Sequence, residues 1–238
     1  MSNIVFFDTE TTGNTEDDFL CQLAYKHRDE YFSSLYKAPK KIPPEASAVH
    51  HISNKMVEDK CLFCDSPDFP KIKELFEHPE TIVVAHNALF DLGMLKKEGV
   101  NPNKFICTLR LARHLDSEGK IDRYNLQYLR YLLELEVDAN AHDALGDVLV
   151  LEKLFERLKN KMVESENISE EEAIEKMIQI SSRPSIFKTF NFGKYAGRKL
   201  EEVAQEDRGY LEWLLREKEG SGQIDEDWIY TLKYYLKK

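Results

Sequence analysis

The stretch Ile4-Val5-Phe6-Phe7-Asp8-Thr9-Glu10 constrains this chain more than any other. Four consecutive apolar residues, β-branched and aromatic, read as a strand buried on both faces. Such a strand should end in turn chemistry, yet it runs into two carboxylates one residue apart. Residues two apart on a strand share a face, so Asp8 and Glu10 project side by side. Two like charges at the mouth of a core repel each other and resist desolvation, so one must protonate or find a cation. A strand that ends at Phe7, with both acids in water, fits the same residues. Asp-x-Glu alone does not choose between the two; further acids arriving at the same place would.

A chain of 238 residues suits one medium α/β domain with an appendage, or two small domains. Apolar runs of about four residues fall far short of the roughly 18 that suggest a membrane span, so no membrane partner is expected. No positive segment precedes the first strand, so no secretory leader is expected. Four irregularly spaced cysteines point to reduced thiols and a cytoplasmic setting. The net charge of −10 argues globally against a polyanionic partner, but it is unevenly spread. Residues 183–238 sum to +1 and residues 1–182 to −11. A domain that pairs carboxylates with divalent metals looks acidic in a count that omits the metals.

Beyond Glu10, Thr11 to Thr15 is a polar turn. Two strand-like runs, Phe19 to Tyr25 and Tyr31 to Tyr36, predict a hairpin. Ser53 can cap a short helix from Asn54, preceded by His50 and His51. Cys61-Leu-Phe-Cys64 has metal-ligand spacing, but there is no second such pair, which disfavours a structural zinc site. Thr81 to Ala85 is a second buried strand, leading into His86-Asn-Ala-Leu-Phe-Asp91. Asn87 is placed to cap a helix on which Asp91 shares a face with Ala88, Met94 and Leu95. Phe105-Ile106-Cys107 reads as an edge strand, and Asn125 caps an amphipathic helix. In the next helix Asp147 heads a stripe of Leu151, Leu154 and Leu158. His142 meets Asp147 only from the loop before that helix, where Asp143 can cap it. An acid in a first helical turn also simply complements the helix dipole. Four such acids, Asp8, Glu10, Asp91 and Asp147, with a nearby histidine imply hard cations such as Mg²⁺ or Mn²⁺. Two ions together are the recurring device for phosphodiester hydrolysis.

Asp8-Thr-Glu-Thr-Thr-Gly13, His86-Asn-Ala-Leu-Phe-Asp91 and His142-x4-Asp147 resemble the three motifs of the DEDDh class of 3′→5′ exonucleases, in the proofreading-exonuclease superfamily. The resemblance spans about residues 3–158. It implies a ribonuclease H-like fold, a mixed five-stranded sheet flanked by helices, with the Asp8 strand central. It makes Asp8, Glu10, Asp91 and Asp147 ligands of two Mg²⁺ or Mn²⁺ ions and His142 the general base. It adds Thr11, Gly13, Asn87 and Phe90 as contacts to the terminal nucleotide. Val49-His-His-Ile-Ser53 resembles a Val-His-x-Ile-Thr segment of the family, making His50 a further contact. Asn14-Thr15 stands where relatives often carry a bulkier apolar residue, which argues against wedging of a base pair.

Residues 161–182 read as a helical linker, with Ser169 and Glu172 forming a capping box. Residues 183–238 read as a small α+β module. Arg183 to Lys199 holds five basic residues and no acid, interleaved with Phe187, Phe190, Phe192 and Tyr195. Cations for the backbone and rings for the bases suit a single-strand groove, with Lys194 and Arg198 as contacts. A small core with solvated lysines fits equally. The segments Phe190 to Arg198 and Gly209 to Leu215 resemble the C-terminal module of the exodeoxyribonuclease X family. The expected reaction is removal of 5′-mononucleotides from DNA 3′ ends, single-stranded or duplex, in repair or end processing. RNA trimming, polymerase-bound proofreading and a catalytically silent binding module are the alternatives.

Overall fold

The computed structural model describes residues 3–15, 17–137, 144–220 and 225–238. Five strands form one sheet: β1 (Asn3–Thr11), β2 (Leu20–His27), β3 (Glu30–Leu35), β4 (Thr81–Ala85) and β5 (Lys104–Cys107). Their order is β3-β2-β1-β4-β5. The β1–β2 and β2–β3 pairs are antiparallel, and the β1–β4 and β4–β5 pairs parallel. The Asp8 strand is therefore central and the Phe105 strand lies at an edge, as the sequence predicts. A short helix, α1 (Pro44–His50), follows the β2–β3 hairpin.

Alternation along β1 decides what each side chain meets. Val5 and Phe7 face a core built with α2 (Phe69–Glu77) and α3 (Ala88–Lys97). Phe6 faces the opposite core, with helices α4 (Thr108–Leu115), α5 (Leu126–Leu132), α6 (Ala144–Glu166) and α7 (Glu170–Ser181). Phe6 meets Phe155 edge-on at 5.3 Å, and Phe7 meets Phe76 at the same separation. Each buried ring contributes roughly 1.5–3 kcal/mol. With both faces covered, only the strand's end is left for polar chemistry.

Helices cover most of the stretch expected as a helical linker, 161–182, and they are packed into the core. The helix α6 continues unbroken through Glu166, and Met162 is fully buried. The following α7 is capped as predicted, Ser169 and Glu172 each receiving the other's backbone N–H. Its Ala173, Ile174 and Met177 lie in the same core as Phe6. Charged residues line the outer faces, so composition reads as linker while one buried residue per turn holds the helices down.

The C-terminal module has its own core, centred on Phe190, Leu200, Val203, Leu211 and Trp228. Its helices are α8 (Leu200–Glu206), α9 (Arg208–Gly220) and α10 (Glu226–Leu236). Beside these helices the described residues hold a short antiparallel pairing, with a bridge between Thr189 and Lys199 and a bond from the Phe190 N–H to the Arg198 carbonyl. Asp227 fastens it to the larger domain. Its carboxylate meets Arg113 at 2.6 Å and Arg110 at 3.5 Å, and accepts the Ser185 N–H at 2.8 Å. Among the described residues, no helix is long and apolar enough to cross a membrane.

Candidate active site

Asp8 and Glu10 share the face of Phe6 and so look toward α6. Asp147 lies in the first turn of α6, beside Ala144 and Val148, which are buried in that same core. Ligand oxygens of Asp8, Glu10 and Asp147 lie within 4.8 Å of one another. Among the described residues they are the only such group of three or more His, Cys, Asp or Glu side chains. Cys61 and Cys64 are free, exposed thiols outside any such group.

Asp91 arrives from the other side. Thr9 points away from Asp8 and toward α3, and the Asp91 Oδ1 accepts hydrogen bonds from the Thr9 N–H at 3.2 Å and hydroxyl at 2.6 Å. Burial pushes the Asp91 pKa up to about 7, against the pull of those bonds. Asp8 is also held well above the usual carboxylate range. Burial is the first cause, followed by the charges of Asp91, Glu10 and Asp147. Asp91 thus acts on Asp8 electrostatically while standing outside the triad of converging oxygens. The site is an acidic centre made of hard oxygen donors, and a divalent cation fits both its charge and its chemistry.

Gln127 was not singled out by its sequence. Its amide donates to the Asp147 Oδ1, and Arg130 lies 3.5 Å from the Gln127 carbonyl oxygen while also donating to the Val137 carbonyl. Nothing in an amphipathic helix marks which polar residue reaches a neighbouring element. Partners of metal-ligating carboxylates fix their orientation, typically worth 10–100-fold. Gln127→Ala should therefore lower metal affinity or turnover by about that factor, read by titrating Mn²⁺ against activity, with little change in melting temperature.

Asp18 was likewise unmarked within an acidic run. It organises the turn after Glu10, accepting from Thr12 Oγ1 at 2.8 Å and Thr15 N at 2.8 Å, and pairing with Lys40 at 2.6 Å. A Cβ at position 13 would come within 2.6 Å of the Asp18 carboxylate, which is why Gly13 stands there. The Thr11 hydroxyl donates to the Gly13 carbonyl at 2.6 Å. His50 is buried, and both ring nitrogens are engaged. Nδ1 accepts the Ile52 N–H at 3.0 Å, so Nε2–H donates to the Thr11 carbonyl at 3.2 Å. Burial first of all lowers its pKa. These bonds tie His50 to the end of β1.

His86, the first residue of the second motif, is neutral for a similar reason. Nε2–H donates to the Tyr124 carbonyl at 2.7 Å and Nδ1 accepts from Thr108 at 2.9 Å, burial taking the pKa down to about 4. Asn87 stands at the N-cap of α3 in the left-handed region, φ 61°, but its side chain makes no cap bond. It is exposed and lines a cleft with Leu89 and Arg110. Phe90 is half-buried. His142 and Asp143 lie outside the described residues.

The C-terminal expectations change most. Phe190 is buried, and Phe187, Phe192 and Tyr195 pack against the module's core, so these rings hold it together. Lys194 pairs with Asp207 at 3.1 Å, and Arg198 with Glu206 at 2.8 Å, both at the surface.

The sequence profile of the exonuclease family, RNase T type, matches residues 5–155. The chain belongs to that family, and is a nuclease of the hydrolase class. A second profile, the exodeoxyribonuclease X-like C-terminal region, matches residues 190–219. Exodeoxyribonuclease 10 of Escherichia coli K12 is 33% identical over 208 residues, covering 86% of this chain and 84% of that one. DNA polymerase III subunit epsilon of Treponema pallidum is 32% identical but covers only 63% of this chain. A solved structure of exonuclease X with 5′ overhanging duplex DNA superposes with a TM-score of 0.57 at 26% identity, covering 75% of this chain and 99% of that one.

Proposed function

We propose that this chain is a 3′→5′ exodeoxyribonuclease that releases 5′-mononucleotides from DNA ends with the help of two divalent ions. The observation that carries the reading is the convergence of Asp8, Glu10 and Asp147 within 4.8 Å at the end of a central strand. In this reading those three acids and Asp91 hold Mg²⁺ or Mn²⁺. When bound, such ions lower the pKa of water and stabilise charge on attacking and leaving oxygens. Gln127 orients the Asp147 carboxylate, and Thr9 orients Asp91. His142 accepts the proton of the attacking water. Thr11, Gly13, Asn87 and Phe90 form the seat of the terminal nucleotide, Asn87 with its amide exposed at the cleft.

DNA as substrate is supported by kinship with an exodeoxyribonuclease and by a relative solved with DNA, and the four irregularly spaced cysteines support a cytoplasmic setting. The C-terminal match favours a free-standing enzyme over a polymerase subunit, because the polymerase relative covers 63% of this chain against 86% for the exodeoxyribonuclease. The test compares single-stranded, recessed and overhanging DNA with RNA, each labelled at one end. Mononucleotides should appear from the 3′ end of DNA with Mg²⁺ or Mn²⁺ and vanish in excess EDTA. Undiminished release in EDTA, or internal cuts, would overturn the reading.

A further inference from the structure

The five cations of Arg183 to Lys199 divide into two kinds. Lys194 and Arg198 face acids, whereas among the described residues Arg183, Lys188 and Lys199 take part in no ion pair. The unpaired ones face the seam between the two domains. Arg183 and Lys188 line a cleft of about 440 Å³ there, together with His114 on α4 and Tyr230 on α10. Ser185 lines it too, 9% exposed, with a hydroxyl that finds no hydrogen-bond partner among the described residues. Burial foremost lowers the His114 pKa, with the cations of Lys176 and Lys188 adding to it and the Glu166 charge opposing. None of the residues lining this cleft is acidic.

Lys188 also lines the next cleft along the surface, of about 780 Å³, where Lys199, Arg208, Lys237 and Tyr234 outnumber the acids Glu118 and Glu201. Tyr230 and Tyr234 are 41% and 56% exposed. Four residues apart on α10, they share a face and stand about 6 Å apart along the helix axis. Exposed rings spaced along a line of unpaired cations are what successive bases and phosphates of one strand require. The rings chosen from sequence are core, while α10 turns two other rings outward.

We propose that this seam, from Arg183 past Lys188 to Lys199, with Tyr230 and Tyr234 as stacking platforms, is a binding track for single-stranded DNA upstream of the 3′ end. Its position suits that role. Thr108, at the first residue of α4, is bonded to His86 beside the candidate site. His114, six residues on, reaches the seam. That span is about 9 Å, on the order of three nucleotides at the 3.4 Å rise of one duplex strand. The track rests on DNA being the substrate, but not on the chemistry of the acidic centre.

Binding of a fluorescent thymidine dodecamer and trimer, measured in EDTA at several salt concentrations, tests it. The unaltered protein should prefer the dodecamer. Arg183→Glu with Lys188→Glu should remove most of that preference and lower the salt slope by about 1.4, at about 0.7 per lost single-strand phosphate contact. Tyr230→Ser with Tyr234→Ser should weaken dodecamer binding by about tenfold or more while leaving the slope in place. The charge-matched pair Lys153→Glu and Arg157→Glu, exposed on α6, should retain the preference. Seam variants that match the unaltered protein in preference and slope, or a control pair that weakens binding as much as they do, would overturn the track. A protein that binds the dodecamer through the seam yet releases no mononucleotide would overturn the nuclease reading alone.

Discussion

Asp8→Asn should reduce mononucleotide release by at least about 10³-fold and, in EDTA, raise the melting temperature. The loss is expected because, in the two-ion reading proposed above, removing one of the ligands forfeits several kcal/mol of transition-state stabilisation. The gain has the opposite origin. Without metal, the Asp8 carboxylate is buried beside Asp91, Glu10 and Asp147, and its charged form is disfavoured in the folded state. Its pKa is raised on folding, so the cost is absent below the unfolded value and grows as pH rises through the folded one. Asp91, pushed up to about 7, adds a cost over the same rising limb, between about 3.9 and 7. Metal-free protein should therefore gain stability at this centre as pH falls from 8 toward 5, and the Asn variant should gain less. Saturating Mn²⁺ should erase the difference by supplying the positive charge. Thermal melts at three pH values, with and without Mn²⁺, check both halves. A variant that melts lower than the unaltered protein in EDTA would show that the acids stabilise the fold.

His142→Ala should lower the rate by roughly 10²–10⁴-fold, with DNA affinity and Mn²⁺ affinity much less affected. A general base must be deprotonated to act, so the unaltered rate should fall as pH drops through the imidazole range near 6.5. The mutant profile should lose that limb. His86 and His50 serve as internal contrasts. Both are neutral and have both ring nitrogens engaged, so neither is free to take a proton from water. An unchanged rate in the His142 variant would reassign it to a structural role.

Much of the catalytic end was legible because it rests on local periodicity. A two-residue alternation put Asp8 and Glu10 on one face, and a helical stripe put Asp147 over its core. Buried apolar runs also gave the central β1, the edge β5 and the β2–β3 hairpin. The same alternation, followed one step further, would have sent Thr9 to the opposite face, where the structure finds it holding Asp91. Composition counts charges without faces: the end of α6 and α7, residues 161–182, read as linker although Met162 and Met177 are fully buried.

By itself, then, the sequence determined the strand-end acids, the motif order that marks the family, and the mixed sheet that carries them. Each follows from neighbours along the chain or from spacing within one element. Only the tertiary structure decided that Gln127 grips Asp147 and that Asp18 leaves room for glycine alone at position 13. It also decided that His50 bonds the Thr11 carbonyl, and that Lys194 and Arg198 pair with acids while, among the described residues, Arg183 and Lys188 do not. Those assignments depend on which elements meet across the fold, and a side chain's charge or ring carries no record of its partner.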